Sequence, residues 1–422
     1  MTLTEAAKVT RLGFRFLFIP FIAILCIWII LGALHTQPSL PERYITPDYM
    51  CGPLPKIDIP SITMTSTQQI RIETESGAIP ALPKVVNVYL YNHPGQSLLA
   101  EREMQSIAGR LGFDSKSYTK ISGTEYKWKD VTSHKTLIIE SSNQNIRMTT
   151  DFSSPAVDTR SGTLPSPEAA ETIARNYLRE MSLLTKDYDS GTRKTHLIQL
   201  TSNGEMRQAP SLSEADMIRV DFFRKKSLIT IDPTLVGTEE LGSRLSDELA
   251  EQKAVRVETR DSKSATVKTY DTRIFNESPI FGNIRVYLGG NTSNIRNDYE
   301  VFGLEVFNWV IGAYACGTYA LISPQEAVRI VQDGEASLVY LMEKGGDAII
   351  PYEAKNVIDM TILDVTLAYW EPESRQEFLQ PIFVILGEAH FGGGVYGDFY
   401  YFVPAIDYES IPHDSGIPQT EG

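Results

Sequence analysis

The run Phe16–Leu34 reads FLFIPFIAILCIWIILGAL and carries no charged residue. A helix rises about 1.5 Å per residue, so this run spans roughly 28 Å, close to the hydrocarbon thickness of a bilayer. It predicts a transmembrane helix over 13–34. Lys8, Arg11 and Arg15 precede it, and the next basic residue is Arg43. The positive-inside rule then places 1–12 in the cytoplasm and the remaining residues, roughly 390 of them, on the far side of a cell membrane crossed once. Pro20 falls near the start of the run, where a lost backbone hydrogen bond costs least. A cleaved signal peptide is the competing reading. The run is longer than the roughly 7–15 residues of a signal core, and Leu31 and Ala33 make a poor small-x-small cleavage site. A buried core helix is the third reading, which a charge-free N-terminal run of this length disfavours.

Charge decides which partners suit the rest. The chain carries a net −14. Residues 1–15 contribute +2, three basic residues less Glu5, which leaves about −16 beyond the run. A surface of that sign disfavours nucleic acid, whose phosphates need basic contacts. At 42% hydrophobic and 10% aromatic, the outer part has material for sizeable cores. Of three cysteines, Cys26 lies in the run, leaving Cys51 and Cys316. Outside the cytoplasm these two are eligible to pair. Two independent thiols, with Cys316 a small core residue, are the alternative.

Prolines at 38, 41, 47, 53, 55, 60, 80 and 83 make 35–83 an extended stalk, with a possible edge strand over Ile70–Glu75. A first module over 84–155 opens with a strand at Lys84–Tyr91. A helix follows, with Ala100, Met104, Ile107, Ala108 and Leu111 on one face and Gly112 at its C-cap. Strands are expected at Glu125–Asp130, Thr136–Glu140 and Asn145–Thr150. A second module over 156–300 starts with a helix capped by Ser166, with Pro167 at its first position. Its stripe is Ala170, Ile173, Ala174, Tyr177, Leu178 and Met181. Strands at Thr195–Thr201, Met217–Arg224 and Asn283–Leu288 flank an insertion over 233–280, which includes a charged helix at Thr238–Val255. A third module over 301–407 repeats the helix start at Ser323-Pro324, where Ser323 and Glu326 form a capping box. Three strands close it, at Asn356–Trp370, Ile382–Leu386 and Phe399–Val403, with Pro372, Pro381 and Pro404 at their ends. Residues 408–422 form a polar tail. The expected fold class is therefore α+β, two or three helix-on-antiparallel-sheet modules behind a transmembrane helix.

The chemistry is sparse. Gly392-Gly393-Gly394 precedes an aromatic strand, not a helix with a lysine, and reads as a hairpin turn rather than a phosphate cradle. Glu388, His390 and Asp398 flank that turn and are the candidate acids and ligands of a hydrolase. Spacing alone makes them ordinary turn residues. Cys316 with His390 is a further nucleophilic pairing with nothing to mark the thiol as activated. No catalytic residue, metal ligand or cofactor site is assigned. Tyr369, Trp370, Phe383, Phe399 and Tyr401 concentrate aromatics near the end, and one side of their strands is a candidate binding face. Core on both sides is the plainer reading.

The starts Ser166-Pro167-x-x-Ala170 and Ser323-Pro324-x-x-Ala327 resemble PepSY-type modules, small units with a helix packed on a sheet. The ending LAYWEPES, FLQPIFVILGEA, FYYFVPAID (between Leu367 and Asp407) resembles the closing hairpins of membrane-anchored extracytoplasmic regulators of the Gram-positive cell-wall sensor kinase. The likeness spans about 160–405, and the insertion and proline stalk depart from it. It implies a bacterial envelope protein that binds or regulates another envelope protein without catalysis. An envelope peptide or glycan hydrolase and a scaffold of a surface complex are the alternatives.

Overall fold

The computed structural model describes residues 46–65, 69–74, 77–79, 82, 84–92, 99–231, 260–262, 265–291, 299–307, 309–350 and 352–412. The apolar run Phe16–Leu34, the helix expected at Thr238–Val255 and the tail from 413 lie outside them. Among the described residues no helix is long and apolar enough to cross a membrane.

Strands β1 (Gln69–Ile72) and β2 (Val85–Tyr91) come first, and both join the second of two sheets. The first sheet is antiparallel throughout. It takes β3 (Tyr118–Lys120), β4 (Glu125–Asp130), β5 (Lys135–Glu140) and β6 (Ile146–Thr150), which follow helix α1 (Ala100–Arg110). Helix α2 (Pro167–Glu180) and the short α3 (Lys186–Asp189) lead into β7 (Arg193–Leu200), β8 (Met206–Gln208) and β9 (Met217–Phe222). Much later, β13 (Ile284–Asn291) and β14 (Tyr299–Val306) complete the order β3-β4-β5-β6-β14-β13-β9-β7-β8. Alternate residues explain the packing. Trp128, Leu137, Met148, Leu304, Val286 and Val220 sit in one core with Met104, Ile107 and Ala108 of α1 and Ala170, Ala174 and Leu178 of α2. Ser166 caps α2 by accepting from Ala169 N–H at 3.3 Å.

The second sheet runs β10 (Arg224–Ile231), β12 (Ala265–Phe275), β17 (Asp359–Trp370), β18 (Phe378–Gly392), β19 (Val395–Pro404) and β16 (Ser337–Glu343). Off that path, β11 (Arg260–Ser262) pairs β12, β1 pairs β17 in parallel, and β15 (Ile311–Ala320) pairs β2, which reaches β18. Helix α4 (Pro324–Gln332) packs on β18 and β19. Ser323 Oγ caps it, accepting from Glu326 N–H at 3.0 Å, while the Glu326 carboxylate turns to Arg329. Ser166→Ala and Ser323→Ala are each expected to cost about 1 kcal/mol, read as a lowered urea midpoint, because each strands a helix-start donor. An unmoved midpoint would show that the cap adds nothing.

The expected fold class is corrected. The described residues are mostly β, in two large sheets rather than a row of helix-on-sheet modules. Two physical reasons account for this. The edge of β6 is filled by β14, so strands expected in separate modules form one ladder, which removes two exposed edges. And β2, expected beside α1, instead pairs with β15 and β18 at the other end of the chain. Strands β3, β8, β10 to β12 and β14 to β16 have no counterpart in the expected list beyond Arg224, and β12 lies in the segment expected as an insertion. The register also revises Pro381, which lies inside β18 opposite Tyr369 rather than at a strand end. There β18 changes neighbours, from β2 at Phe378 and Leu379 to β19 from Ile382 onward.

The segment expected as a stalk lies against the second sheet where it is described. Leu54, Ile57 and Ile59 are buried in that sheet's two cores. Cys51 and Cys316 form a disulfide, with Cα atoms 5.3 Å apart. Tyr319 Oη donates to Gly52 O at 2.6 Å, and Ile62 N–H donates to Leu338 O at 2.7 Å.

Candidate functional site

The glycine turn positions the first candidates. Gly392 pairs with Val395, and Gly393 and Gly394 both have positive φ, the primed two-residue hairpin that suits strand twist. Glu388 and His390 sit two apart on β18 and share a face. Asp398 is opposite Glu388, and Tyr396 and Asp359 flank His390. Each side chain has a local partner. Glu388 is ion-paired to Lys344. His390 Nδ1 lies 3.4 Å from Asp359 Oδ2, which also meets Arg71 through its other oxygen at 2.8 Å. The imidazole stacks on Tyr396 with centroids 4.7 Å apart. The result is a half-exposed lattice of cross-strand ion pairs. Cys316 is taken up by its disulfide, which removes the Cys316–His390 nucleophile. Among the described residues no group of three His, Cys, Asp or Glu side chains is placed to hold a metal ion.

The closing aromatics, a candidate binding face with core on both sides as the plainer reading, pack as core. Tyr369, Trp370, Phe383, Phe399 and Tyr401 are all buried. Tyr369, Phe383, Phe399 and Tyr401 pack in the core under α4 and β2. Trp370 packs on the opposite face with Ile57, Ile59, Phe275 and Phe402. The sheet is covered on both sides around these five side chains.

Charge that the sequence reading passed over is gathered where the chain crosses between the sheets. It crosses from β9 to β10 at Phe223, from β12 to β13 through 276–283, and from β14 to β15 through 307–310. Arg224 and Glu371, both buried, meet there at 2.6 Å. Arg224 also donates to Trp309 O at 2.7 Å, and Asn283 Nδ2 donates to the other Glu371 oxygen at 2.9 Å. Trp309 Nε1 donates to Pro372 O, and Tyr188 Oη donates to Phe307 O. The network thus ties all three crossings to the end of β17. Burial pushes the Glu371 carboxyl up to about 7, against the pull of Arg224 and Asn283. Burial works against the Arg224 charge, yet Glu371, Tyr188 and Asp187 outweigh it and hold the guanidinium above its ordinary range. Nearby, Asp221 clamps Arg219 at 2.7 Å and accepts from Gly282 N–H at 2.9 Å. Gly282 lies so close to Phe222 that a Cβ would fall 2.7 Å from its backbone. Burial lowers Arg273 to about 9, and its guanidinium lies 3.5 Å from the Phe223 ring centroid. The signal was present in the sequence: Arg224 follows Phe222-Phe223, and Glu371 follows Tyr369-Trp370. A charge joined to an aromatic strand end is placed to be buried and must then be paired.

No family model matches the chain, and no curated protein matches it. Among solved structures, the chain is similar to an uncharacterized protein from Eubacterium rectale ATCC 33656. The two are 12% identical, the match covers 81% of this chain and 88% of that one, and the TM-score is 0.34.

Proposed function

We propose that this chain is a membrane-tethered binding or regulatory protein of the bacterial cell envelope, with its folded part outside the cytoplasm and no catalytic role. The observation that supports this reading is the Cys51–Cys316 disulfide, which fastens the segment just beyond the apolar run to the second sheet. Disulfides persist in oxidising compartments, the side on which the charge flanks of Phe16–Leu34 put the folded part. The likeness of the closing strands to extracytoplasmic regulators points the same way. A tether of this kind acts by concentration: confinement at the membrane raises the encounter rate with a membrane-bound protein partner without new contacts. Nothing in the half-exposed lattice around His390 favours a hydrolytic reading over this one.

The full-length chain, expressed in a Gram-positive host, tests the topology. It is expected to stay with membranes through alkaline carbonate. A membrane-impermeant maleimide applied to intact cells should label Cys51 and Cys316 only after a reductant. Carbonate release, or labelling that requires lysis, would overturn the reading.

A further inference from the structure

We infer that the β2–β15 edge, with Leu90, Val310, Tyr314 and Met50 exposed along it, rests in the interfacial layer of the bilayer that the proposed anchor crosses. The inference builds on the tethered reading and adds a second membrane contact to it.

Three features converge on this edge. The first is its exposed apolar surface. Between Ile311 and Ala315 the pairing with β2 slips, and Gly312-Ala313-Tyr314 leaves the ladder. Tyr314 is 88% exposed and Met50 72%. Leu90 and Val310 are exposed beside it, where Asn92 N–H donates to Val310 O at 2.7 Å. The same two strands bury Val86, Val88, Tyr89 and Tyr319, so the exposure belongs to the edge alone.

The second feature is charge. Residues 306–323 contain no Asp, Glu, Lys or Arg, in a chain that is 22% charged. A body near −16 is repelled by anionic headgroups, and an edge built on this charge-free stretch, whose neighbouring Asp48 carboxylate is taken up by Thr318 N–H, is the part that can enter a headgroup layer at least cost. Tyrosine beside aliphatic side chains is the chemistry of the interface: an apolar body to bury and a hydroxyl to leave in water.

The third feature is the route of the chain. The segment that leads back to Phe16–Leu34 is fastened to β15 itself. Tyr49 N–H donates to Thr318 O at 3.1 Å, Thr318 N–H donates to Asp48 Oδ1 at 2.7 Å, and Cys51 is bonded to Cys316. Only residues 35–45 separate the run from Thr46, a reach of at most roughly 40 Å when fully extended. The tether therefore enters the body at β15 and keeps that strand within its reach of the membrane. Once held there, even a weak apolar contact is populated.

The test uses the full chain in phosphatidylcholine proteoliposomes containing doxyl-labelled lipid. Bimane is placed at Leu90→Cys or Val310→Cys in a Cys26→Ser background. Native Cys26 reports the anchor, and Val131→Cys, on the exposed turn after β4, reports the far sheet. Tyr314 is not used for labelling because it lies two residues from Cys316. Doxyl lipid is expected to cut emission at positions 90 and 310 by roughly twofold or more, because an interfacial segment places its apolar side chains among the lipids, and to leave position 131 unchanged. Val310→Asp with Tyr314→Asp should abolish the effect at 90 without changing the melting temperature. Quenching at Cys26 with none at 90 or 310 overturns the edge contact and leaves the anchor standing. A blue shift at 90 that is equal in detergent and in bilayer, with no doxyl quenching, means that protein covers the edge, and also overturns it. Quenching that appears only with anionic lipid overturns the apolar mode. No quenching at Cys26 removes the tethered reading and this inference together.

Discussion

An Arg224→Ala chain is expected to unfold about 3–5 kcal/mol more easily than the parent, because it leaves the Glu371 carboxylate buried without its cation. Glu371 sits 1% exposed at the meeting point of three chain crossings, so water cannot replace the guanidinium. Arg224→Met with Glu371→Leu should recover part of the loss and no more. Asn283 would lose its 2.9 Å acceptor, and Trp309 O its 2.7 Å donor. A double-mutant cycle with less than about 1 kcal/mol of coupling would show that the pair contributes little as a pair.

The same residue gives a pH prediction. Burial raises the folded pKa of Glu371 to about 7 from an ordinary 4.5. The folded state therefore holds this proton more tightly than the unfolded state. The stability contributed by the group is complete below the unfolded value and is lost as pH rises through about 7. A shift of this size corresponds to on the order of 3 kcal/mol at full effect. Thermal melts should fall in midpoint between about pH 5 and 8, and Glu371→Gln should flatten that slope. A parent slope identical to that of the variant would remove Glu371 as its source. The Arg224→Ala penalty should deepen above about pH 7, where the parent buries the anion beside the guanidinium and the variant must keep the carboxyl protonated.

The second large effect is covalent. Cys51→Ser or Cys316→Ser, or reduction of the parent, is expected to cost about 2–4 kcal/mol by releasing a constraint on the unfolded chain. The two cysteines are 265 residues apart, so the closed loop takes in most of the described fold. The local consequence is more diagnostic than the midpoint. The segment carrying Leu54, Ile57 and Ile59 should become the first part to open, and tryptic cleavage after the exposed Lys56 should accelerate. Equal cleavage rates with and without reductant would show that the segment is held by its buried side chains and backbone hydrogen bonds alone.

Local structure was legible in the residues, and partnership was not. The caps at Ser166 and Ser323, the stripes of α1 and α2, the strand at Glu125–Asp130 and the triple-glycine hairpin all depend on neighbours within a turn or two, which a sequence displays directly. Pairing is decided elsewhere. Nothing local to Lys84–Tyr91 says that β2 serves β15 and β18, because its apolar residues would suit either sheet. Strand β15 was hidden for a related reason. Its small residues, Gly312, Ala313 and Ala315, carry little β signal, and the ladder that stabilises it belongs to β2. The aromatics near the end admit two readings, a candidate binding face or core on both sides, and their own residues do not decide between them. Their burial depends on the covers over each face, α4 with β2 on one and the Ile57–Ile59 segment on the other. Glu388 and His390 drew attention as the polar residues of a conspicuous turn, while Arg224 and Glu371 carry the greater electrostatic cost in the interior.

The parallel pairing of β1 with β17 has a consequence in time. Arg71 and Asp359, bonded in the finished sheet, are 288 residues apart. At synthesis rates of about 5–20 residues per second, β1 emerges roughly 15–60 seconds before its partner exists. Strand β2 waits as long for β18. If the chain is threaded across a membrane as it is made, these early strands arrive on the far side as unpaired edges, next to the bilayer, before the rest of their sheet. The second sheet can therefore close only when the last strands have crossed. Truncation before β17 should leave β1 without its partner strand, and exposed to the proteases of that compartment, even though every residue of β1 is present.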